Sequence, residues 1–155
     1  MRRLGEGMGA RNLAESVPIT TLSIVVLAVT ASVIAMGGMI RIYDAGESCP
    51  DWPTCFGTWG FDVSEDEQES WWDENPEEED SRGAAHRYTT FEIFTEWFHR
   101  LLAGALLGPM MFLLWVCTRV QSTDRQVRNA GLLGLILIVW QGFLGYLTVL
   151  SLIHI

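Results

Sequence analysis

The sequence predicts an all-α integral membrane protein, a helix bundle with three transmembrane helices, and three observations carry that prediction. Three runs are long and apolar enough to cross a bilayer, which takes roughly 20 such residues. The chain is 49% hydrophobic yet has a net charge of -9, which a membrane protein accommodates by keeping its acid outside the apolar runs. All ten basic residues are arginines, and several of them bracket the apolar runs. A backbone in hydrocarbon must satisfy its own hydrogen bonds, so the runs are expected to be helices.

The elements follow in order. Residues 1–18 form a short lead that ends at Pro18 and carries Arg2, Arg3 and Arg11. The first span, 19–40, has only Thr and Ser as polar interruptions. It exceeds the roughly 7–15 apolar residues of a secretory signal, and two further spans follow, so it reads as a retained helix. It ends in Gly37-Gly38-Met39-Ile40-Arg41. The loop 43–97 comes next, with a turn-rich stretch from Asp44 to Cys55 and an acidic insertion at about 64–81. That insertion includes Glu77-Glu78-Glu79-Asp80 and reads as a solvated, partly disordered segment. Its Trp71-Trp72 pair is suited to a membrane interface.

From Thr90 the pattern becomes helical and runs without a break into the second span, 98–117. The linker 119–129 is short, so spans two and three are expected to be antiparallel neighbours. The third span, 130–153, contains Gln141, read as an interhelical hydrogen-bond donor, and no charge. Glycines at 104 and 108, 131 and 134, and 142 and 145 read as close-packing positions between helices.

Arginine placement sets an expected orientation. Arg2, Arg3 and Arg11 precede span one, and Arg119, Arg125 and Arg128 lie between spans two and three. The positive-inside rule puts both segments in the cytoplasm and the Cys-containing acidic loop outside a plasma membrane. The whole chain is expected to be a single membrane domain in contact with lipid, and its negative charge gives no reason to expect a nucleic-acid partner. Acid piled on an exposed loop in a lysine-free chain suggests a high-salt habitat.

The most informative polar cluster is Glu96-Trp97-Phe98-His99-Arg100. Helical spacing puts Glu96, His99 and Arg100 on one face. Ionisable groups inside a span cost about 2.5–3.5 kcal/mol on insertion scales, so the trio calls for a reason. One reading is an interfacial Glu96–Arg100 ion pair beside a hydrogen-bonded histidine. The other is a haem site, with His99 as axial ligand and Arg100 and Arg41 pairing with propionates. His154, expected at the same depth, is a possible second ligand to the iron. Cys49 and Cys55 lie where disulfides persist, which favours a bond between them. A zinc site has only the distant His86 to draw on, and spacing leaves a redox-active pair open. Cys117 reads as a packing residue.

Four segments, taken together, resemble the haem A synthase family in order and topology. They are Gly37-Gly38-Met39-Ile40-Arg41, the stretch Ser48-Cys49-Pro50-Asp51-Trp52-Pro53-Thr54-Cys55-Phe56-Gly57, Glu96-Trp97-Phe98-His99-Arg100, and Gln141-Gly142-Phe143-Leu144-Gly145-Tyr146-Leu147-Thr148-Val149. The resemblance covers nearly all of the chain except the lead and the acidic insertion. It implies a bundle built from two four-helix halves, of which these three spans would be part of the N-terminal half. It implies oxidation of the C8 methyl of haem O to the formyl of haem A for terminal oxidases, with haem B as electron carrier. By the same resemblance His99 matches a haem ligand, Glu96 the acidic residue tied to the oxidation, and Cys49 and Cys55 a disulfide pair.

The family's bundle continues into a fourth span, so a truncated synthase, or a chain completed by a second copy or another subunit, is expected. A haem O synthase is a further expected partner. Two other readings stand beside the enzyme. One is a non-catalytic haem-binding protein, either an electron-transfer subunit or an oxidase assembly factor, and the other is a structural subunit without cofactor.

Overall fold

The computed structural model describes residues 14–78 and 80–153. The protein is an all-α membrane helix bundle, and no strand is present among the described residues. Its helices are α1 (Ile19–Tyr43), α2 (Glu65–Glu74), α3 (Thr90–Arg100), α4 (Gly108–Gln121) and α5 (Arg125–Ile153). Three stretches are long and apolar enough to cross a membrane: Ile19–Tyr43, Thr90–Gln121 and Arg125–Leu147. These are the three predicted spans, with the second lengthened at its start to Thr90.

The second spanning stretch is not one regular helix. Between α3 and α4 the turns widen to a π-helix over Leu101–Leu107. Pro109 then occupies the first turn of α4. A proline inside a helix has no N–H to donate and its ring crowds the carbonyl four residues back, so wider turns just before it relieve both problems. The helix nonetheless runs without a break from Thr90 to Gln121, as expected.

The described residues form two compact units. The first contains 14–31 and Ala103–Gly142. In it α4 and α5 run antiparallel, joined by a break of only three residues, Ser122 to Asp124. A Cβ at Gly131 would overlap Thr118, and one at Gly134 would overlap the Met111 side chain. These two glycines therefore pack helices closely, as expected. Leu107, Met111, Leu114 and Cys117 are buried in this unit. The Gln121 amide donates to the carbonyls of Ala14 and, at 2.7 Å, Val17.

The second unit contains Ser32–Leu102 with 143–153. Here α1 ends with Arg41 in its last turn, where a cation complements the helix dipole. The chain turns through a left-handed Asp44, φ 54°, and the Ala45 N–H donates back to Ile40 O at 2.9 Å. The loop that follows is folded. Cys49, Cys55, Phe56, Val63, Trp72, Tyr88 and Ile93 form a hydrophobic core, flanked by Phe61, Trp71, Ala84 and Trp97.

Much of the acidic stretch is helical, Glu65–Glu74 and Pro76–Glu78, where the sequence suggested partial disorder. Ser64 and Glu67 form a reciprocal capping box that starts α2, with Glu65, Asp66 and Glu67 in its first turn. The backbone N–H of Ser64 holds the Glu67 carboxyl below the usual carboxylate range, and the Ser64 hydroxyl adds to the effect. Gln68 is buried and ties α2 to Tyr88, donating to its carbonyl at 2.9 Å and accepting from its N–H at 2.8 Å. Trp72 is buried against Phe56, ring centroids 5.8 Å apart. Trp72 thus belongs to the loop's core, with Trp71 partly buried against it.

Arg82 closes the loop on itself. It pairs with the Asp44 carboxylate at 2.7 Å and with Glu92 at 3.6 Å, and it donates to His86 Nε2 at 2.8 Å. Thr89 caps α3 through a second box, with Glu92 accepting from the Thr89 N–H at 2.8 Å.

Candidate functional site

The site is built where α3 meets the 48–55 loop and the last turns of α1, all within the second unit. Glu96 is 5% exposed. Its Oε1 meets Arg100 Nη2 at 2.5 Å, one helical turn on. Its Oε2 accepts from the Cys49 N–H at 2.8 Å and lies 3.1 Å from the Ser48 hydroxyl. Burying a carboxylate is costly unless it is paired and hydrogen-bonded, and both conditions hold here.

Arg100 spends its guanidinium on the same loop. Nη2 donates to Cys49 O at 2.6 Å, and Nη1 to Asp51 O at 2.5 Å and Thr54 O at 3.4 Å. The planar fork suits this grip on diverging carbonyls, which a lysine's point charge would not reproduce. Cys49 and Cys55 are bonded to each other, with Cα atoms 4.6 Å apart. Closing so short a loop contributes about 2 kcal/mol through lost unfolded-state entropy. Inside the ring, Asp51 Oδ2 accepts from the Thr54 hydroxyl and from the Gly57 N–H, the latter at 3.1 Å. Just past the ring, Phe56 and Gly57 both take positive φ, 52° and 71°.

His99 stands apart from this clamp. Neither ring nitrogen has a hydrogen-bond partner among the described residues, so the expectation of a hydrogen-bonded histidine does not hold among them. The ring lies against α1 at Gly37, where an added Cβ would sit 3.4 Å from Nε2. An imidazole nitrogen with no protein partner, beside a residue that has no side chain, is a donor set and a cradle that fit a haem iron. Arg41 is exposed and makes no ion pair or hydrogen bond among the described residues. It lies four residues after Gly37, hence on the same face of α1.

The predicted residues thus fall into two groups. Glu96, Arg100, Cys49 and Cys55 come together as one clamp, and His99 with the Gly37–Arg41 face of α1 forms the other. Arg100 does not stand free for a propionate, because its donors are committed to loop carbonyls. His154 lies outside the described residues. Sequence reasoning missed Ser48 as a partner of Glu96 and Gln68 as the tie between α2 and Tyr88. A Gln four residues before Trp72 was the available signal for the second.

Residues 20–154 match the family described as "Cytochrome oxidase assembly protein", COX15-CtaA. The chain is also 30% identical over 132 residues to a protein of Shewanella oneidensis named "Heme A synthase". That match covers 84% of this chain and 36% of the relative, so the chain spans little more than a third of the relative's length. No solved structure matches.

Proposed function

The chain belongs to the COX15-CtaA family of cytochrome oxidase assembly proteins, and from that premise we propose that it serves haem A formation, in the oxidation of the C8 methyl of haem O to a formyl group. The observation that carries this reading is His99, an imidazole unpartnered among the described residues and seated against Gly37. His99 would hold the iron of haem B, and Arg41, on the same face of α1 as Gly37, would pair with a propionate. Haem, when bound, supplies the redox chemistry that an unactivated methyl requires.

The chain's own residues do the placing. Glu96 and Arg100 fix the disulfide loop onto α3, one turn and less from His99. The Glu96–Arg100 pair would set a fixed polar group beside the site, where charge develops on the substrate. The cytoplasmic arginines at 119, 125 and 128 orient the chain in a plasma membrane with the disulfide loop outside, in an oxidising compartment.

One observation favours a second reading, a haem carrier without its own catalysis. Both carboxylate oxygens of Glu96 are engaged by the protein and the residue is buried, so it has no free oxygen for proton relay. The test is reconstitution of the purified chain with haem B, followed by haem O, reductant and oxygen, with extracted haems separated by chromatography. Haem A that disappears in Glu96→Gln supports the enzyme. A b-type spectrum that is lost in His99→Ala, with no haem A formed, supports the carrier. Absence of any haem spectrum sinks both.

A further inference from the structure

Two adjacent glycines near the end of α1 face different surroundings. A Cβ at Gly37 would stand 3.4 Å from His99 Nε2 and 3.8 Å from Cδ2, whereas a Cβ at Gly38 would meet nothing within 4 Å. Each glycine costs a helix interior about 1 kcal/mol relative to alanine, so propensity explains neither. Gly38 has no packing reason in the described surroundings. Gly37 does: with no side chain there, the Nε2–Cδ2 edge of the imidazole can rest against the backbone of α1.

The geometry points to Gly37 as the positioning residue for His99. It sets how closely the ring approaches α1, and it keeps the space flanking Nε2 free of side-chain atoms. A methyl at 37 would come just into van der Waals contact with the ring. A branch beyond Cβ that turned toward the ring would enter its volume or the space beside Nε2, and the imidazole would have to rotate or withdraw. Residue 37 therefore controls the orientation of the histidine that the proposed function assigns to haem iron, and the inference rests on that reading.

The experiment titrates the protein with haem B in two series, Gly37→Ala, Val and Leu against Gly38→Ala, Val and Leu. The readouts are absorbance, the electron paramagnetic resonance of the ferric form, and the midpoint potential. Both series carry the same change in helix propensity, so size exclusion and thermal unfolding control for folding. The expected result is a graded change along the Gly37 series, from shifted resonance positions in Gly37→Ala to roughly tenfold or greater loss of haem affinity in Gly37→Leu. The Gly38 series should match the parent protein. Should Gly37→Leu fail to fold, the resonance and potential of Gly37→Ala decide the matter alone. Indistinguishable series would overturn the role of Gly37 while leaving His99 as ligand, provided His99→Ala loses the spectrum. A spectrum that survives His99→Ala overturns the ligand assignment, and the role of Gly37 with it.

Discussion

Arg100 and Glu96 meet at 2.5 Å across one turn of α3, and each then grips the disulfide loop with its remaining polar atoms. The pair is a clamp as well as an ion pair. Removing the cation strands a buried carboxylate and takes the donor from three loop carbonyls. Arg100→Ala should therefore cost about 3–5 kcal/mol, the range for breaking a buried pair from one side. Thermal unfolding of the detergent-solubilised protein, followed by tryptophan fluorescence, reads it. A cost below about 1 kcal/mol would mean the pair behaves as a surface ion pair.

Gln68→Leu tests whether α2 is held to the loop's core by its buried amide. The change leaves the Tyr88 N–H and C=O without their partner, and each unsatisfied group costs about 1–3 kcal/mol. Hydrogen exchange should accelerate across α2 and around Tyr88, with the spanning stretches unaffected. Unchanged protection in α2 would show that Trp72 and the capping box suffice.

The loop should also weaken at high pH through Tyr88. Burial, and then the hydrogen bond to Asp80 at 2.5 Å, push its phenol up from the usual value of about 10. A raised folded value means the phenol's stabilisation is intact below about pH 10 and is lost as pH rises through the folded value. Unfolding of the loop should become easier above about pH 10, and Tyr88→Phe should lack that alkaline loss while being less stable at neutral pH. Parallel pH profiles for the two proteins would remove Tyr88 from the account.

In the other unit, Gly131 and Thr118 should be energetically coupled. An alanine at 131 would overlap the Thr118 side chain, and overpacking of this kind costs about 1–3 kcal/mol. Thr118→Ala removes the overlapping atoms, so the double variant should recover most of the loss. A double-mutant cycle in thermal stability measures it, and simple additivity would contradict the contact.

The parts of this fold that were legible in the sequence are those set by local rules. Hydrophobic length located the three spans, helical spacing put Glu96 beside Arg100, and Cys49 and Cys55 were read as bonded. The order in the acidic stretch had a signal that charge obscured. Ser64 and Glu67 stand at capping-box spacing, and Gln68 and Trp72 share the face that is buried. Pro109 likewise marked the place where regular turns must give way. The seat of His99 on Gly37 had no such signal, because it depends on how α1 meets α3. One chain's residue pattern says which faces are apolar and not which atoms touch.

The 48–55 ring has a consequence for how the protein is made. Its partners Glu92, Glu96 and Arg100 arrive more than forty residues later in synthesis, the Ser48 hydroxyl lying 2.9 Å from Glu92 O and the Cys49 carbonyl 2.6 Å from Arg100. Until the chain through Arg100 has emerged, the ring has nothing to dock on and Ile93 is missing from the core it completes. The cysteines can be oxidised early, but the loop can dock only after α3 has been delivered to it. Final folding of the loop therefore waits on α3 and not on translation of the ring alone.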